Sequence, residues 1–192
     1  MPAWTFIRHG QSQANAEGWF AGQRDAPLTA LGREQAEHAK AATAALQFDR
    51  ALCSDLSRAH DTAKIVTADR GLALQVTPLL RERTCGSWEG QAIDGIEASG
   101  DMDAFRHWAA RPGGGESLRD VARRVCTYFA GLPDVPSTLV VSHGALMRSV
   151  LGLLDGTALE QIGNWRPKNC EVVQRDVSQA RWQALAAKLA EA

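Results

Sequence analysis

Apolar positions along this chain switch repeatedly between the period of a strand and that of a helix. Ala3 to Ile7 is a short apolar run of strand formers that ends at Arg8-His9-Gly10, where glycine suits a tight turn. His9 is thereby expected at the C-terminal end of a strand. From Leu31 to Leu46 alanines and leucines recur at helical spacing between charges, with Thr29 placed as an N-cap. A strand is predicted over Arg50 to Cys53. A helix should follow to about Ala68, capped by Ser54 or Asp55, with Ala59, Ala63, Ile65 and Val66 on its inner face.

Leu74 to Thr77 alternates like a strand and leads through Pro78 to Leu80-Arg81-Glu82 and a turn-rich stretch from Cys85 to Gly90. Residues 91 to 112 are small, polar and mixed, which predicts short helices. The run Gly113-Gly114-Gly115 marks a break before a strong helical pattern from Glu116 to Leu132, which Pro133 and Pro136 stop. Thr138 to Ser142 reads as a fully buried strand, and His143-Gly144 opens a helix through Leu154. A strand near Val172 and Val173 and an alanine-rich helix complete the chain.

This alternation predicts an α/β fold, a three-layer sandwich around a mostly parallel sheet. In such folds ligands bind beyond the carboxyl ends of the strands. Arg8-His9-Gly10, Ser54 to Arg58 and Ser142-His143-Gly144 each follow a predicted strand, so distant stretches of sequence should converge on one rim.

With 192 residues, one domain spanning 1–192 is expected. Lys and Arg number 21 against 22 Asp and Glu, and no run of like charge suits a nucleic acid or a membrane surface. The four cysteines, Cys53, Cys85, Cys126 and Cys170, are widely spaced and read as free thiols in a reducing compartment. The start of the chain runs straight into the first strand with no signal-like segment, which suggests the cytoplasm. Oligomeric state has no readable code.

The residue types at the predicted rim suit phosphoryl transfer. Its transition state spreads negative charge over equatorial oxygens, so positioning and electrostatic stabilisation are the main tasks. Arginine stays charged and grips phosphate bidentately, and histidine offers either a lone pair or an N–H donor. A histidine nucleophile also needs an acid for the departing alkoxide, and a carboxyl group beside bound phosphate has its pKa raised by that charge. Each residue alone has a plainer reading: Arg8-His9 as a surface pair, Arg58 as a helix surface charge, His143 as a capping histidine. Glu89 competes with Glu82 as the carboxylate.

Taken together, the motifs resemble the histidine phosphatase superfamily, in the branch of the phosphoglycerate mutases and α-ribazole phosphatases. The matching blocks are Arg8-His9-Gly10-Gln11-Ser12-Gln13-Ala14-Asn15 with Ala21-Gly22 and Pro27-Leu28-Thr29; Cys53-Ser54-Asp55-Leu56-Ser57-Arg58-Ala59; Leu80-Arg81-Glu82 with Gly86 and Trp88-Glu89-Gly90; and Val141-Ser142-His143-Gly144. Order and spacing agree over roughly the first 170 residues, far beyond a lone Arg-His-Gly. The resemblance implies a phosphoglycerate mutase-like fold and attack by His9 on phosphorus to give a phosphohistidine. It further implies that Arg8, Arg58 and His143 cradle the phosphoryl oxygens and that Glu82 is the general acid, then the base for water. Ser12, Asn15, Gly22 and Gly144 match positions that line the phosphate pocket, and neither metal nor cofactor is implied.

The same comparison bears on the acceptor. Mutases usually carry glutamate where this chain has Gln11, asparagine where it has Ala145, and a longer basic insertion in place of Gln91 to Pro112. These departures favour hydrolysis of a small phosphorylated metabolite, α-ribazole phosphate being one candidate, over mutase-type transfer. A catalytically silent phospho-ligand binding module is the alternative from another class. His38, His60 and His107 read as solvated residues on helices. Trp88 and Trp108 could shape a pocket or pack in the core, Ser117 starts a helix, and specificity is expected in residues 91 to 112 and the loop after Ala16.

Overall fold

Buried apolar strands that alternate with amphipathic helices must cover both faces of the sheet they form. The computed structural model describes residues 1–191, so the last alanine of the expected domain lies outside the described residues. Its strands are β1 (Ala3–Arg8), β2 (Arg50–Ser54), β3 (Leu74–Thr77), β4 (Ser137–Ser142) and β5 (Val172–Asp176). They form one sheet in the order β3-β2-β4-β1-β5, with β5 antiparallel and the other neighbours parallel. The helices are α1 (Gln13–Glu17), α2 (Ala30–Ala42), α3 (Ser57–Thr67), α4 (Ile93–Ala98), α5 (Met102–Arg106), α6 (Leu118–Ala130), α7 (Gly144–Leu154), α8 (Leu159–Ile162) and α9 (Gln179–Ala190). None is long and apolar enough to cross a membrane among the described residues.

The two faces of the sheet build separate cores, because successive strand residues point opposite ways. Ile7, Ala51, Cys53, Leu139 and Val141 meet Ala39 of α2 and Ala63 and Val66 of α3. Trp4, Phe6, Leu52 and Val140 face the larger core, made with α6, α7 and α9. At its centre the rings of Trp4, Phe129 and Trp182 lie with centroids 4.8 to 5.0 Å apart, in tilted and edge-on arrangements that aromatic quadrupoles favour.

The sandwich expected from the pattern is therefore the observed architecture, and its departures from expectation have local causes. Helix α2 stops at Ala42 instead of Leu46. The Thr43 hydroxyl turns back onto the Ala39 carbonyl at 2.8 Å, and Arg70 reaches across to bond the Thr43 and Leu46 carbonyls, so the turn is satisfied without more helix. The expected caps of α3 do other work. Ser54 and Asp55 do not cap it: Asp55 is held bidentately by Arg81, and Asp25 from a distant loop accepts the Ser57 N–H at 2.8 Å. Thr62 and Thr67 share the inner face of α3 with Ala59, Ala63 and Val66, whereas Ile65 is half-buried. Helix α6 starts as expected, with a capping box between Ser117 and Asp120.

The triple-glycine run does more than break the chain. A β-carbon on Gly86 would stand 2.0 Å from the Gly113 carbonyl oxygen, and one on Gly113 would stand 2.1 Å from that of Cys85. The loop after Glu82 and the glycine run are thus packed backbone against backbone, a proximity only glycine permits.

The aromatic cluster supplies the fold's clearest stability test. Phe129 is fully buried against Trp4, Phe6 and Trp182. Phe129→Ala should lower the unfolding free energy by about 3–5 kcal/mol in urea titrations; a loss below about 1 kcal/mol would mean that this cluster does not hold α6 and α9 to the sheet.

Candidate active site

Parallel pairing of β1 with β4 assembles the centre of the site. The register sets Arg8 opposite Ser142, so the chain delivers His9 and His143 side by side one residue further on. The His9 N–H extends the ladder to the Ser142 carbonyl at 2.9 Å, and the two imidazoles lie with centroids 5.1 Å apart. Gly10 follows because a β-carbon there would stand 2.2 Å from the Gly32 carbonyl oxygen of α2.

The His9 ring is fixed by a contact of 2.7 Å between Nδ1 and the Gly10 carbonyl. A carbonyl can only accept, so Nδ1 carries the proton and the lone pair of the neutral ring resides on Nε2. Burial pushes the His9 pKa well below the usual histidine value, and the Arg58 and Arg8 charges push the same way, against a smaller upward effect of the Gly10 bond. His143 is likewise held neutral, first by burial and then by Arg58, His9 and Arg8. Both of its ring nitrogens are buried without a protein partner.

Arg58, on the first turn of α3, is 1% exposed and donates to the carbonyls of Gly22 at 2.8 Å and Arg24 at 3.1 Å. Arg8 donates to the Pro167 carbonyl at 2.7 Å. Ser12 and Asn15 form a reciprocal capping box at the start of α1, and Asn169 donates to both the His9 carbonyl and the Asn15 side chain. Gly22 sits at φ 51°, and a β-carbon would collide with the Glu89 carboxylate.

The two competing carboxylates take different places. Glu82 lines the cavity and accepts the Ala145 N–H of α7 at 3.1 Å and the Arg83 N–H at 2.8 Å. Its carboxylate supplies α7 with a cap that the His143 side chain does not, so the plainer reading of His143 as a capping histidine does not hold. Glu89 instead accepts from the Gln23 and Cys85 amides and the Thr84 hydroxyl at 2.8 to 3.1 Å, clasping two loops together. The segment bearing Glu82 is held from behind as well: Arg124 of α6 grips Glu116 bidentately and bonds the Leu79 and Arg81 carbonyls. Ser142 donates to the Leu80 carbonyl.

The resulting cavity of about 270 Å³ is lined by Arg8, His9, Ser12, Asn15, Gly22, Arg58, Glu82 and Gly144. Every residue expected at the site lines it except His143, whose ring adjoins that of His9. Trp19, Phe20, Ile93, Met102 and Phe105 form an apolar wall. Trp88 packs on Phe20 and Trp108 is buried in the larger core, so neither tryptophan singled out in the sequence lines the cavity; Trp19 does. Cys85 lines it too, but burial pushes its thiol up to about 12 and no reactive thiolate is offered. All four cysteines are free. His38 and His107 are exposed, His107 accepting the Ala109 and Ala110 amides beyond the end of α5, and His60 is half-buried. Sequence reasoning missed Arg83, Arg148 and Arg166, which also line the cavity. Arg83 follows Glu82 directly, and Arg148 lies one helical turn beyond Gly144 on α7, a spacing that could have revealed it.

Known proteins resemble this chain in sequence and in fold. The family model described as histidine phosphatase superfamily (branch 1) matches residues 4–189. The adenosylcobalamin/alpha-ribazole phosphatase of Escherichia coli (strain K12) is 34% identical over 168 residues, covering 83% of this chain and 82% of that protein. A 2,3-bisphosphoglycerate-dependent phosphoglycerate mutase of Rhizobium rhizogenes is 36% identical over 170 residues, 81% of each chain. Among solved structures, the mycobacterial glucosyl-3-phosphoglycerate phosphatase in complex with VO3 superposes with a TM-score of 0.83 at 30% identity, over 91% of this chain and 92% of that one. The alpha-ribazole phosphatase from Shigella flexneri gives 0.80 at 31%, over 92% and 91%. The chain belongs to the histidine phosphatase superfamily, branch 1.

Two buried neutral histidines make stability sensitive to acid. Below about pH 6.5, the ordinary histidine value, the unfolded chain takes up protons at these positions that the folded chain refuses, so stability falls as pH falls. The slope should approach about 1.4 kcal/mol per pH unit for each ring. Urea midpoints measured between about pH 7.5 and pH 5 should drop, and the drop should flatten in a His9→Gln/His143→Gln double variant. An unchanged slope in that variant would assign the acid sensitivity elsewhere.

Proposed function

We propose that this protein hydrolyses phosphomonoesters without a metal, through a phosphohistidine on His9, and that its substrate is a small phosphorylated metabolite. The observation that carries this reading is the His9 ring: Nδ1–H bound to the Gly10 carbonyl, Nε2 bearing the lone pair, and burial between two arginines that keeps the ring unprotonated. A neutral imidazole aligned in this way is a ready nucleophile.

In the proposed sequence His9 Nε2 forms a bond to phosphorus as the bond to the ester oxygen breaks. Glu82, entering as the acid, gives its proton to the departing alkoxide. Arg8, Arg58 and a donor on His143 hold the equatorial oxygens, with Ser12, Asn15, Gly22 and Gly144 shaping the cradle. Glu82, now a carboxylate, takes a proton from water as the water oxygen attacks phosphorus and the bond to His9 breaks, which releases phosphate and restores the site. The arginine charges supply what a metal would otherwise contribute. The four free thiols fit a reducing compartment, and we take the cytoplasm as the site of action and the whole chain as one catalytic domain.

Hydrolysis is preferred to mutase transfer on the character of the wall facing the site. Residues 91 to 112 contribute Ile93, Met102 and Phe105 to the cavity, all apolar, in place of the basic side chains mutases carry there. Gln11 is held by the Thr29 hydroxyl at 2.8 Å and does not line the cavity. A silent binding module is disfavoured by Glu82, an acid that binding alone would not require.

Purified protein should turn over an aryl phosphate in excess chelator, and rapid acid-free quenching should trap label on His9. His9→Ala should remove both turnover and label while the circular dichroism spectrum is unchanged; residual activity within about tenfold of wild type would eliminate His9 as nucleophile. Glu82→Gln should slow an alkyl phosphate by about 10²–10⁴-fold and an activated aryl phosphate much less, since only the poorer leaving group needs the acid. Equal losses for the two esters would remove that role.

A further inference from the structure

The turn that leads into β5 makes contacts with the site that its own closure does not call for. Its backbone is closed by the Glu171 N–H to the Lys168 carbonyl at 3.1 Å. It docks on the end of β1 through the Cys170 N–H to the Arg8 carbonyl at 3.0 Å and the Arg8 N–H to the Glu171 carbonyl at 3.3 Å. Cys170 holds φ at 56°, the only residue besides glycines in the left-handed region among the described residues. A side chain is strained there, and such strain persists where the surroundings over-determine the conformation. The strained turn carries Asn169, half-buried, to the carboxyl end of β1.

Both hydrogen bonds of the Asn169 side chain leave the turn. Nδ2 donates to the His9 carbonyl at 3.0 Å and to Asn15 Oδ1 at 3.2 Å. Groups with a single role fix the orientation of both amides. A carbonyl only accepts, so the Asn169 atom that faces His9 is the nitrogen. A backbone N–H only donates, so the Asn15 atom that meets the Ser12 N–H at 3.2 Å is the oxygen. Two donors therefore occupy Asn15 Oδ1, and the end of that amide left for a ligand is its NH2 group, on a residue that lines the cavity.

The other bond acts on the nucleophile. The peptide between His9 and Gly10 is held at its carbonyl by Asn169 and at its N–H by the hydroxyl of the fully buried Thr62, 3.0 Å away. That peptide sets the direction of the chain into Gly10, whose own carbonyl holds the His9 ring at Nδ1. Glycine has wide backbone freedom, so an unclamped peptide would leave that carbonyl free to swing off the ring.

We propose that Asn169 is a positioning residue of the site: its one NH2 group holds the peptide that aims His9 and turns the Asn15 amide so that its N–H donors meet an oxygen of the bound anion. The identity of that anion as a phosphoryl group rests on the phosphatase reading above. Nucleophile and cradle are thereby aligned to each other by a side chain from a third, distant segment. Alignment of this kind matters to rate, because a misplacement of about 1 Å can cost about 10²-fold.

The test is a double-variant cycle. Phenyl phosphate turnover is measured in wild type, Asn169→Ala, Asn15→Ala and the protein with both changes, well below the unfolding midpoint of each. Asn169→Ala should lower kcat/KM by about tenfold or more in the wild-type background, and by a factor at least about threefold smaller when Asn15 is already alanine. Asn169→Ser keeps a polar turn residue, is too short to bridge the two acceptors, and should reproduce the loss if the alanine variant folds poorly. A turn that had only lost stability would cost the same factor with or without the Asn15 side chain. A smaller loss, or losses that simply multiply, would overturn the positioning role and leave the phosphatase reading standing. The same cycle is read without turnover in calorimetric Kd values for inorganic phosphate. Coupling there, in a wild-type protein that hydrolyses no ester, would uphold the positioning role and sink the phosphatase reading; neither coupling nor hydrolysis would sink both.

Discussion

Everything at the site depends on the hydrogen-bonded register between β1 and β4. These strands are distant in sequence and adjacent in space, and their parallel alignment sets two histidines beside each other at the carboxyl edge of the sheet. A slip of one residue would send the whole strand's side chains to the opposite face, so the buried alternation that builds two different cores also locks the register. Trp4 and Phe6 of β1 share one face with Val140, and Ile7, Leu139 and Val141 occupy the other, which makes the two faces non-interchangeable. Packing energy far from the cavity thereby fixes ring positions within it.

Electrostatics is the second constraint. Arg8, Arg58, Arg83 and Arg148 are withdrawn from water around one carboxylate, Glu82. Such a concentration of like charge opposes folding, and the structure accommodates it by tying Arg8, Arg58 and Arg83 to carbonyl oxygens of Pro167, Gly22, Arg24 and Phe105. Carbonyl dipoles hold the cations in place while leaving their charge uncancelled, which is the state in which an anionic ligand gains most from them. Rigidity comes from the same source, since a guanidinium fixed by two carbonyls has little rotational freedom left to lose.

The sequence made the strands and the long helices legible because their periods are long and uninterrupted, as in β4 and α6. It also pointed to residues that the fold gathers around one cavity, many of which fall in short blocks just after strands. The rest depended on contacts between distant segments. The end of α2 is set by Arg70, the cap of α3 by Asp25, and the posture of the Glu82 segment by Arg124, none of which has a local signature. The buried arginines escaped for a related reason: a lone arginine in an apolar helix reads as a surface residue, and only the fold brings Arg148 of α7 and Arg83 of a loop to the same Phe105 ring. The Leu80-Arg81-Glu82 context favours Glu82 over Glu89, and of the two only Glu82 lines the cavity.

The backbone contact between Gly86 and Gly113 gives the intervening stretch an independent character. Its two ends are pinned together, so the chain leaves the sheet, builds the apolar wall with α4 and α5, and returns to nearly the same place. Loop closure of this kind makes the excursion an exchangeable cassette: its length and composition can drift with little entropic penalty and without displacing Glu82, which lies outside the pinned base. The make-up of the apolar wall and the placement of Glu82 are thereby set by separate stretches of one short chain.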